Sequence, residues 1–301
     1  MTWTLEQAPT QKGRLAVVTG ANIGLGFETA KALASKGCDL VLACRNMDKA
    51  EAAQAAILAK FPKAKVTCMK LDLSSLKSVR AFATAYTERY AKIDLLINNA
   101  GIMMPPFSLS DDGFESQFAA NYIGHFALTG LLLPLVIKTP SSRIVSLSSM
   151  AHRWGNIRFD DPNFKNGYNK REAYGQSKLA CLMFAYEMNR RLVKAGHATL
   201  SVAAHPGVAA TNLSQHLPKF VNFFTPLMGL VLNNASDGAL PTLYAALGDD
   251  IPGGDYCGPK DMHQMRGAPI KVGSNRASRD EAAAAKLWAM SEKMSGVKFL
   301  S

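Results

Sequence analysis

Paired cysteines are missing from this sequence of 301 residues. Its five cysteines are an odd number, none forms a Cys-x-x-Cys motif, and several lie within apolar runs. Such an arrangement is typical of buried free thiols in a reducing compartment, rather than of disulfides or zinc ligands. We therefore expect neither a disulfide framework nor a metal centre.

Targeting and membrane-spanning segments are not evident either. The first residues, MTWTLEQAPTQKGR, contain no apolar stretch typical of a secretory signal. We read no apolar run as approaching the length of a transmembrane helix. The expectation is a soluble, cytoplasmic protein without a transmembrane segment.

Clustered charge is a third feature that the sequence lacks, although it is basic overall. The 34 Lys and Arg residues exceed the 23 Asp and Glu residues, which gives a net charge of +11. These basic residues are scattered over predicted helix faces and form no run interleaved with aromatics, which disfavours nucleic-acid binding. A basic surface still suits an anionic cofactor or an anionic membrane.

What the sequence does have is a regular alternation of short apolar segments and helical patterns. Strands are predicted at 14–20, 38–44, 65–73, 92–101, 142–149 and 198–207, and the first of them is expected to be buried. Helices are predicted at 24–36, 48–60, 75–90 and 113–137, and around Tyr174. This alternation predicts an α/β fold, in which helices cover both faces of a doubly wound parallel sheet. With no linker or repeat in view, we expect a single domain over residues 1–301.

Two stretches depart from this alternation. Residues 150–171 are polar, and residues 212–233 are strongly apolar but interrupted by Pro218 and Pro226. Long insertions at the carboxyl ends of strands shape the ligand crevice of such sheets. We interpret the second stretch as a substrate loop or as a helix that completes the core, with contact to a membrane surface as a third alternative.

A glycine-rich turn joins the first strand to the first helix. Gly20, Gly24 and Gly26 are spaced Gly-x-x-x-Gly-x-Gly. Glycine allows positive φ and close approach of a ligand to the backbone. The free amides and the dipole at a helix amino terminus favour a pyrophosphate. The turn therefore predicts a phosphate cradle, with a tight structural turn as the alternative.

The end of the second strand carries an arginine where many dinucleotide sites have an acid. Asp or Glu at this place bonds the ribose hydroxyls of NAD, whereas Arg accommodates the 2′-phosphate of NADP. Here Arg45 follows the strand, and Asp48 is read as a first-turn acid of the next helix. We favour NADP(H), with a solvated surface charge as the alternative role of Arg45.

Tyr174 and Lys178 are four residues apart in a helical pattern, so they share one helix face. A nearby ammonium favours the phenolate form of a phenol. The pair could therefore exchange a proton with a substrate hydroxyl or carbonyl. On spacing alone, a solvated helix face is the more common explanation.

The order of the motifs resembles that of the short-chain dehydrogenase/reductase family over nearly the whole chain. The matching segments are TGANIGLG, LDL at 71–73, NNAG at 98–101, Asn121, SLSS at 146–149, YGQSK at 174–178 and HPGVAATNL at 205–213. The stretches ACRN, NYIGHFALT and SSMAHRWG are similar to those of the retinol dehydrogenase and WW-domain oxidoreductase branch. The resemblance implies a Rossmann-type fold.

The resemblance also implies catalytic roles. Tyr174 would be the general acid or base, and Lys178 would support it and bind the nicotinamide ribose. Asn121 would hold a water that passes protons to Lys178. His125 lies one turn after Asn121 and is interpreted as a structural residue.

Either of two adjacent serines could bind the substrate oxygen. The resemblance assigns this role to Ser149, which would stabilise charge developing on that oxygen. Ser148 is the alternative, but strand alternation would point it to the opposite face.

An NADP(H) site is implied as well. The expected contacts are Gly20, Asn22, Ile23, Gly24, Gly26, Arg45, Asp72, Leu73, Asn99, Ala100, Gly101, Tyr174, Lys178, Pro206, Gly207, Val208 and Thr211. The resemblance assigns Asp72 and Leu73 to the adenine and residues 99–101 to the adenosine ribose. It assigns residues 206–208 to the nicotinamide, and Thr211 to its carboxamide or to the pyrophosphate.

The function expected from these motifs is NADP(H)-dependent interconversion of a carbonyl and an alcohol on a lipophilic small molecule. Two alternatives remain: a catalytically silent NADP(H)-binding sensor or scaffold, and a carbon–carbon double-bond reductase of the same fold. Family members commonly form homo-oligomers through the helices after the fourth and fifth strands. The apolar stripe Cys181, Phe184, Met188 and Leu192 is read either as core or as such a contact.

Overall fold

Eight short strands form one sheet at the centre of the computed structural model, which describes residues 2–208 and 234–300. The strands are β1 (Leu15–Thr19), β2 (Asp39–Cys44), β3 (Val66–Lys70), β4 (Leu95–Asn98), β5 (Arg143–Leu147), β6 (Leu200–Ala204), β7 (Tyr256–Asp261) and β8 (Arg266–Lys271). Their order in the sheet is β3-β2-β1-β4-β5-β6-β7-β8. All neighbours run parallel except β7 and β8, which are antiparallel.

Helices cover both faces of this sheet. They are α1 (Gly24–Ser35), α2 (Met47–Lys60), α3 (Leu76–Arg89), α4 (Ser116–Ile137), α5 (Lys170–Lys194), α6 (Ala235–Leu247) and α7 (Glu281–Ser295). One apolar core contains side chains of α3, α4, α5 and α7, and the other contains those of α1, α2 and α6. This arrangement confirms the predicted doubly wound fold.

The central strand β1 shows why the sheet needs cover on both sides. All five of its residues are buried. Leu15 and Val17 belong to one core, whereas Ala16 and Val18 belong to the other. Because side chains alternate along a strand, a continuous apolar run packs against both helix layers at once.

The antiparallel hairpin β7–β8 was not predicted from the sequence, and neither were α6 and α7. The strands of the hairpin contain Gly258 and the paired prolines Pro259 and Pro269, and in a sequence such residues are typical of turns. The pairing of β7 with β6 ends at Cys257, and β8 is the edge of the sheet. Proline is tolerated at such positions because no neighbouring strand requires its amide hydrogen.

The expectation that no apolar run reaches transmembrane length was wrong for α4. Its 22 residues, Ser116–Ile137, are long and apolar enough to cross a membrane. In the folded protein, 78% of its most apolar window is buried. The helix passes through the core between the sheet and its neighbours, and such core helices also meet criteria of length and composition.

The apolar stripe on α5 faces the core. Its four residues, Cys181, Phe184, Met188 and Leu192, are at most 5% exposed. Phe184 stacks on Trp288 of α7, with ring centroids 5.8 Å apart. Of the two predicted roles for this stripe, the structure therefore supports the role in the core.

Candidate active site

The glycine-rich turn lies between β1 and α1, at the carboxyl edge of the sheet. Gly20 and Gly24 have φ values of 65° and 60°, a region that favours glycine. The Gly20 amide donates to Ala43 O at 2.8 Å, which fixes the turn against β2. Asn22 is half-buried and Ile23 is exposed. Within the described residues no side chain caps the amino terminus of α1, so its first amides can bind an anion.

Gly26 allows α1 to pack closely on the end of β4. A Cβ atom at this position would overlap the side-chain nitrogen of Asn99 and the carbonyl group of Gly20. The same Asn99 nitrogen donates to Thr19 O at 2.7 Å. The predicted cradle and the NNAG segment are therefore held together by main-chain and amide contacts.

A buried threonine and histidine extend this connection to α4. Thr19 Oγ1 accepts hydrogen bonds from the amides of Asn99 and Ala100, each at 2.9 Å. His125 places Nε2 at 2.9 Å from Thr19 Oγ1 and Nδ1 at 2.9 Å from Asn121 O. Because a carbonyl can only accept, Nδ1 carries the hydrogen and Nε2 accepts from the threonine hydroxyl. Burial lowers the pKa of His125 to about 4, which keeps the imidazole neutral near pH 7.

Asn121 lies in a π-helical turn, Ala119–Ile123, within α4. Its Oδ1 accepts from Ile102 N at 2.7 Å, and its Nδ2 donates to Ile102 O at 3.0 Å and to Ser177 Oγ at 2.9 Å. Its carbonyl oxygen also accepts from Cys181 Sγ at 3.2 Å. The side chain thus joins α4, α5 and the loop after β4, whereas the water-holding role stays a prediction.

Tyr174 and Lys178 are buried on the face of α5 that meets the strand ends, with 7% and 6% exposure. Lys178 Nζ donates to Leu147 O at 3.1 Å and lies 5.9 Å from the centre of the Tyr174 ring. A Cβ atom on Gly101 would lie 3.4 Å from this Nζ and 3.1 Å from Asn121 Oδ1. The pair is therefore not on a solvated face, which was the common alternative.

The two serines after β5 point in different directions. Ser148 is buried, and its Oγ donates to Lys178 O at 2.8 Å. Ser149 is half-buried and begins a 3₁₀ turn, Met150–Trp154, with its Oγ accepting from Ala151 N at 3.2 Å. Among the described residues, no acceptor takes the hydroxyl hydrogen of Ser149. That hydroxyl can therefore donate to a substrate oxygen.

The 3₁₀ turn after Ser149 packs directly on α5 beside the tyrosine. A Cβ atom on Gly155 would overlap the carbonyl of Gly175, the residue that follows Tyr174. A Cβ atom on Gly175 would lie 2.8 Å from Trp154 Cδ1. Two glycines thus allow this loop to approach α5 closely.

The sequence did not indicate a role for Gln117, but its side chain connects the loop after β4 to the loop before α5. It is fully buried, and its Oε1 accepts from Met104 N at 2.8 Å. Its Nε2 donates to Tyr168 Oη at 3.0 Å and to Lys170 O at 3.1 Å. Gln117 thereby joins the loop after β4 to the start of α5.

The residues predicted for the adenosine end follow β2 and β3, which are neighbours in the sheet. Asp72 Oδ1 accepts from the amide and hydroxyl of Ser74 at 3.0 and 2.6 Å. Arg45 is exposed, and it forms no ion pair with a carboxylate in the described part of the chain. Asp48 lies in the first turn of α2, as the sequence predicted.

Residues 206–208, predicted for the nicotinamide end, follow β6 and lie against the β7–β8 hairpin. The amide of Val208 donates to Met265 O at 2.9 Å. His205, which precedes the range, is fully buried. The predictions for Thr211 and for residues 212–233 lie outside the described residues.

A family model for the short chain dehydrogenases matches residues 14–222. Human retinol dehydrogenase 13 is 41% identical over 298 residues, a match that covers 96% of this chain and 86% of that protein. The Brassica napus short-chain dehydrogenase TIC 32 A, a chloroplastic protein, is 37% identical and matches 93% of this chain and 88% of its own length.

Solved structures agree with the fold. A crystal structure of an uncharacterised protein from Mycobacterium paratuberculosis superposes with a TM-score of 0.84, at 41% identity and 99% coverage of both chains. The Pseudomonas aeruginosa RhlG/NADP complex has a TM-score of 0.66 at 21% identity, over 82% of this chain and 94% of that chain.

Proposed function

Because this chain belongs to the short-chain dehydrogenase family, we propose that it is an NADP(H)-dependent oxidoreductase that interconverts a carbonyl and an alcohol. One observation carries the proposal. Lys178, buried on the same helix face as Tyr174, lies close to Gly101 at the carboxyl edge of the sheet, where the Gly20–Gly26 cradle also lies. On one edge of the sheet, the cradle suits the pyrophosphate of a nicotinamide dinucleotide, and Tyr174 suits proton transfer to a substrate beside the nicotinamide.

In the reducing direction, the Tyr174 hydroxyl would donate its proton to the carbonyl oxygen of the substrate. The Lys178 ammonium would bind the nicotinamide ribose, and its bond to Leu147 O fixes its position. Ser149 would donate a hydrogen bond to the same substrate oxygen and so stabilise the developing charge. The bound cofactor supplies or accepts the hydride.

Arg45 is the basis for proposing NADP(H) rather than NAD(H). It is exposed after β2 and forms no ion pair with a carboxylate in the described part of the chain. A guanidinium binds phosphate through two parallel hydrogen bonds. The first residue in this region with an acidic side chain, Asp48, lies at the start of α2 instead.

Cofactor preference tests this assignment. We expect Arg45→Asp to raise the KM for NADPH by at least about tenfold, because charged hydrogen bonds to the phosphate are lost. The KM for NADH should fall or stay constant. Lys49→Asp, with the same charge change at an exposed position nearby, should leave the NADPH/NADH ratio unchanged. An unchanged ratio in Arg45→Asp would remove the argument for NADP(H).

We propose a lipophilic substrate. Apolar side chains are exposed in loops that follow the carboxyl ends of β4 and β5, where Phe107, Leu109 and Trp154 are each 45–46% exposed. The retinol dehydrogenases among the relatives are named for a lipophilic alcohol. A panel of retinoids, long-chain aldehydes, ketones and sugar aldehydes tests this with NADPH. Preference for the sugars would contradict it, and NADPH binding without any turnover would indicate a silent sensor.

For the location we propose the cytoplasm. All five cysteines are free thiols, and four of them are buried. Free buried thiols suit a reducing compartment. Fractionation of cells that express the chain tests this, and recovery in a membrane or organelle fraction would contradict it.

A further inference from the structure

The turn between β7 and β8 has an unfavourable backbone. Three consecutive residues other than glycine, Met262, His263 and Gln264, have φ values of 49°, 56° and 70°. Such left-handed conformations are uncommon for residues with a Cβ atom, and they persist where surrounding interactions hold them. A run of three therefore indicates that something fixes this turn in place.

A hydrogen bond to a buried histidine is one such interaction. Gln264 Oε1 lies 3.1 Å from His205 Nε2. On the other side of the ring, Nδ1 accepts from Gly207 N at 3.2 Å, so the hydrogen is on Nε2 and is donated to Gln264. Burial lowers the pKa of His205 to about 3, which is consistent with a neutral ring.

Close main-chain packing surrounds this imidazole. A Cβ atom on Gly258 would overlap the His205 ring. A Cβ atom on Gly207, whose φ is 71°, would overlap the Met265 carbonyl. The hairpin and the segment after β6 therefore fit together in one relative position.

We propose that Gln264 is a positioning residue, which acts through His205 to set the Pro206–Gly207 turn against the nicotinamide half of the cofactor. The proposal rests on the proposed function, since it concerns the same cofactor site. In this proposal, the β7–β8 hairpin holds the turn that contacts the nicotinamide half of the cofactor. The adenosine end, at β2 and β3, lies on the other side of the sheet centre and does not depend on this contact.

The test compares binding of NADPH with binding of 2′,5′-ADP, which lacks the nicotinamide half. Gln264→Met removes the accepting oxygen at nearly constant size. We expect it to weaken NADPH binding by about threefold to tenfold, the fold-change of one hydrogen bond, and to lower kcat. Binding of 2′,5′-ADP should change less than about twofold, well within the effect of one such bond.

Gln264→Glu keeps an accepting oxygen and should restore the wild-type ratio of the two affinities. His263→Ala changes an exposed neighbour in the same turn and should also keep that ratio. Equal effects of Gln264→Met on both ligands, or no effect on either, would overturn the proposal. Should that variant fail to fold, Gln264→Ser, whose side chain is too short to reach His205, gives the same comparison. Failure of wild-type protein to bind NADPH would instead refute the proposed function.

Discussion

Acidification is expected to destabilise the folded protein through His125. Burial lowers the pKa of this imidazole from its usual 6.5 to about 4. As the pH falls below about 6.5, the unfolded chain binds a proton at this residue that the folded chain does not bind. The free energy of unfolding therefore decreases with falling pH until the pH reaches about 4, where the folded state is protonated as well.

The size of this effect follows from the two pKa values. The difference between 6.5 and about 4 corresponds to about 3 kcal/mol when it is fully developed, and to about 2 kcal/mol at pH 5. His205 acts in the same direction, since burial lowers its pKa to about 3. The contribution of His125 must therefore be measured as a difference between wild type and a variant.

Urea unfolding of wild type and His125→Gln at pH 8 and pH 5 provides that difference. The wild type should lose about 2 kcal/mol more between these pH values than the variant loses. His197→Gln, at a half-buried position outside the site, controls for the loss of a histidine as such. Equal losses in wild type and His125→Gln would show that this imidazole is charged in the folded protein, which would refute the hydrogen-bond assignment to Thr19.

Two further predictions concern catalysis and the cradle. Ser149→Ala should lower kcat by about 10²–10³-fold, because a donor to the substrate oxygen is lost. Ser148→Ala should instead cost about 1 kcal/mol of stability; kinetics and urea unfolding distinguish them, and the opposite pattern would exchange the two roles. Gly26→Ala should weaken NADPH binding at least about tenfold in titration calorimetry, because a large part of the cradle must shift. Gly273→Ala, in open space, is the control, and unchanged affinity in Gly26→Ala would contradict the packing argument.

The clearest of the strands that the sequence predicted is a continuous apolar run rich in β-branched residues. β1 is such a run, and its burial on both faces is what makes it recognisable. β7 and β8 carry glycine and proline, which are tolerated because β8 is the edge strand and the pairing of β7 with β6 ends at Cys257. That place is a property of the whole sheet, so a local pattern cannot reveal it.

The predicted site residues were found through short motifs, whereas the contacts that the sequence did not predict join residues far apart along the chain. Thr19 and His125 are separated by 106 positions, and His205 and Gln264 by 59. The hydrophobic periodicity of a sequence does not indicate contacts between residues so far apart. One signal was present: His125 is a polar residue in the most apolar of the helices that the structure describes, and a buried polar group requires partners.

The π-helical turn Ala119–Ile123 divides α4 into two parts that differ in helical phase. Gln117 lies before the turn and fixes the loops at the crevice, whereas His125 lies after it and fixes the cradle. Loss of one residue from the turn would rotate one part against the other by about 100°. The extra residue in the turn thus sets the rotation at which the two parts of this helix present Gln117 and His125 to two separate walls of the site.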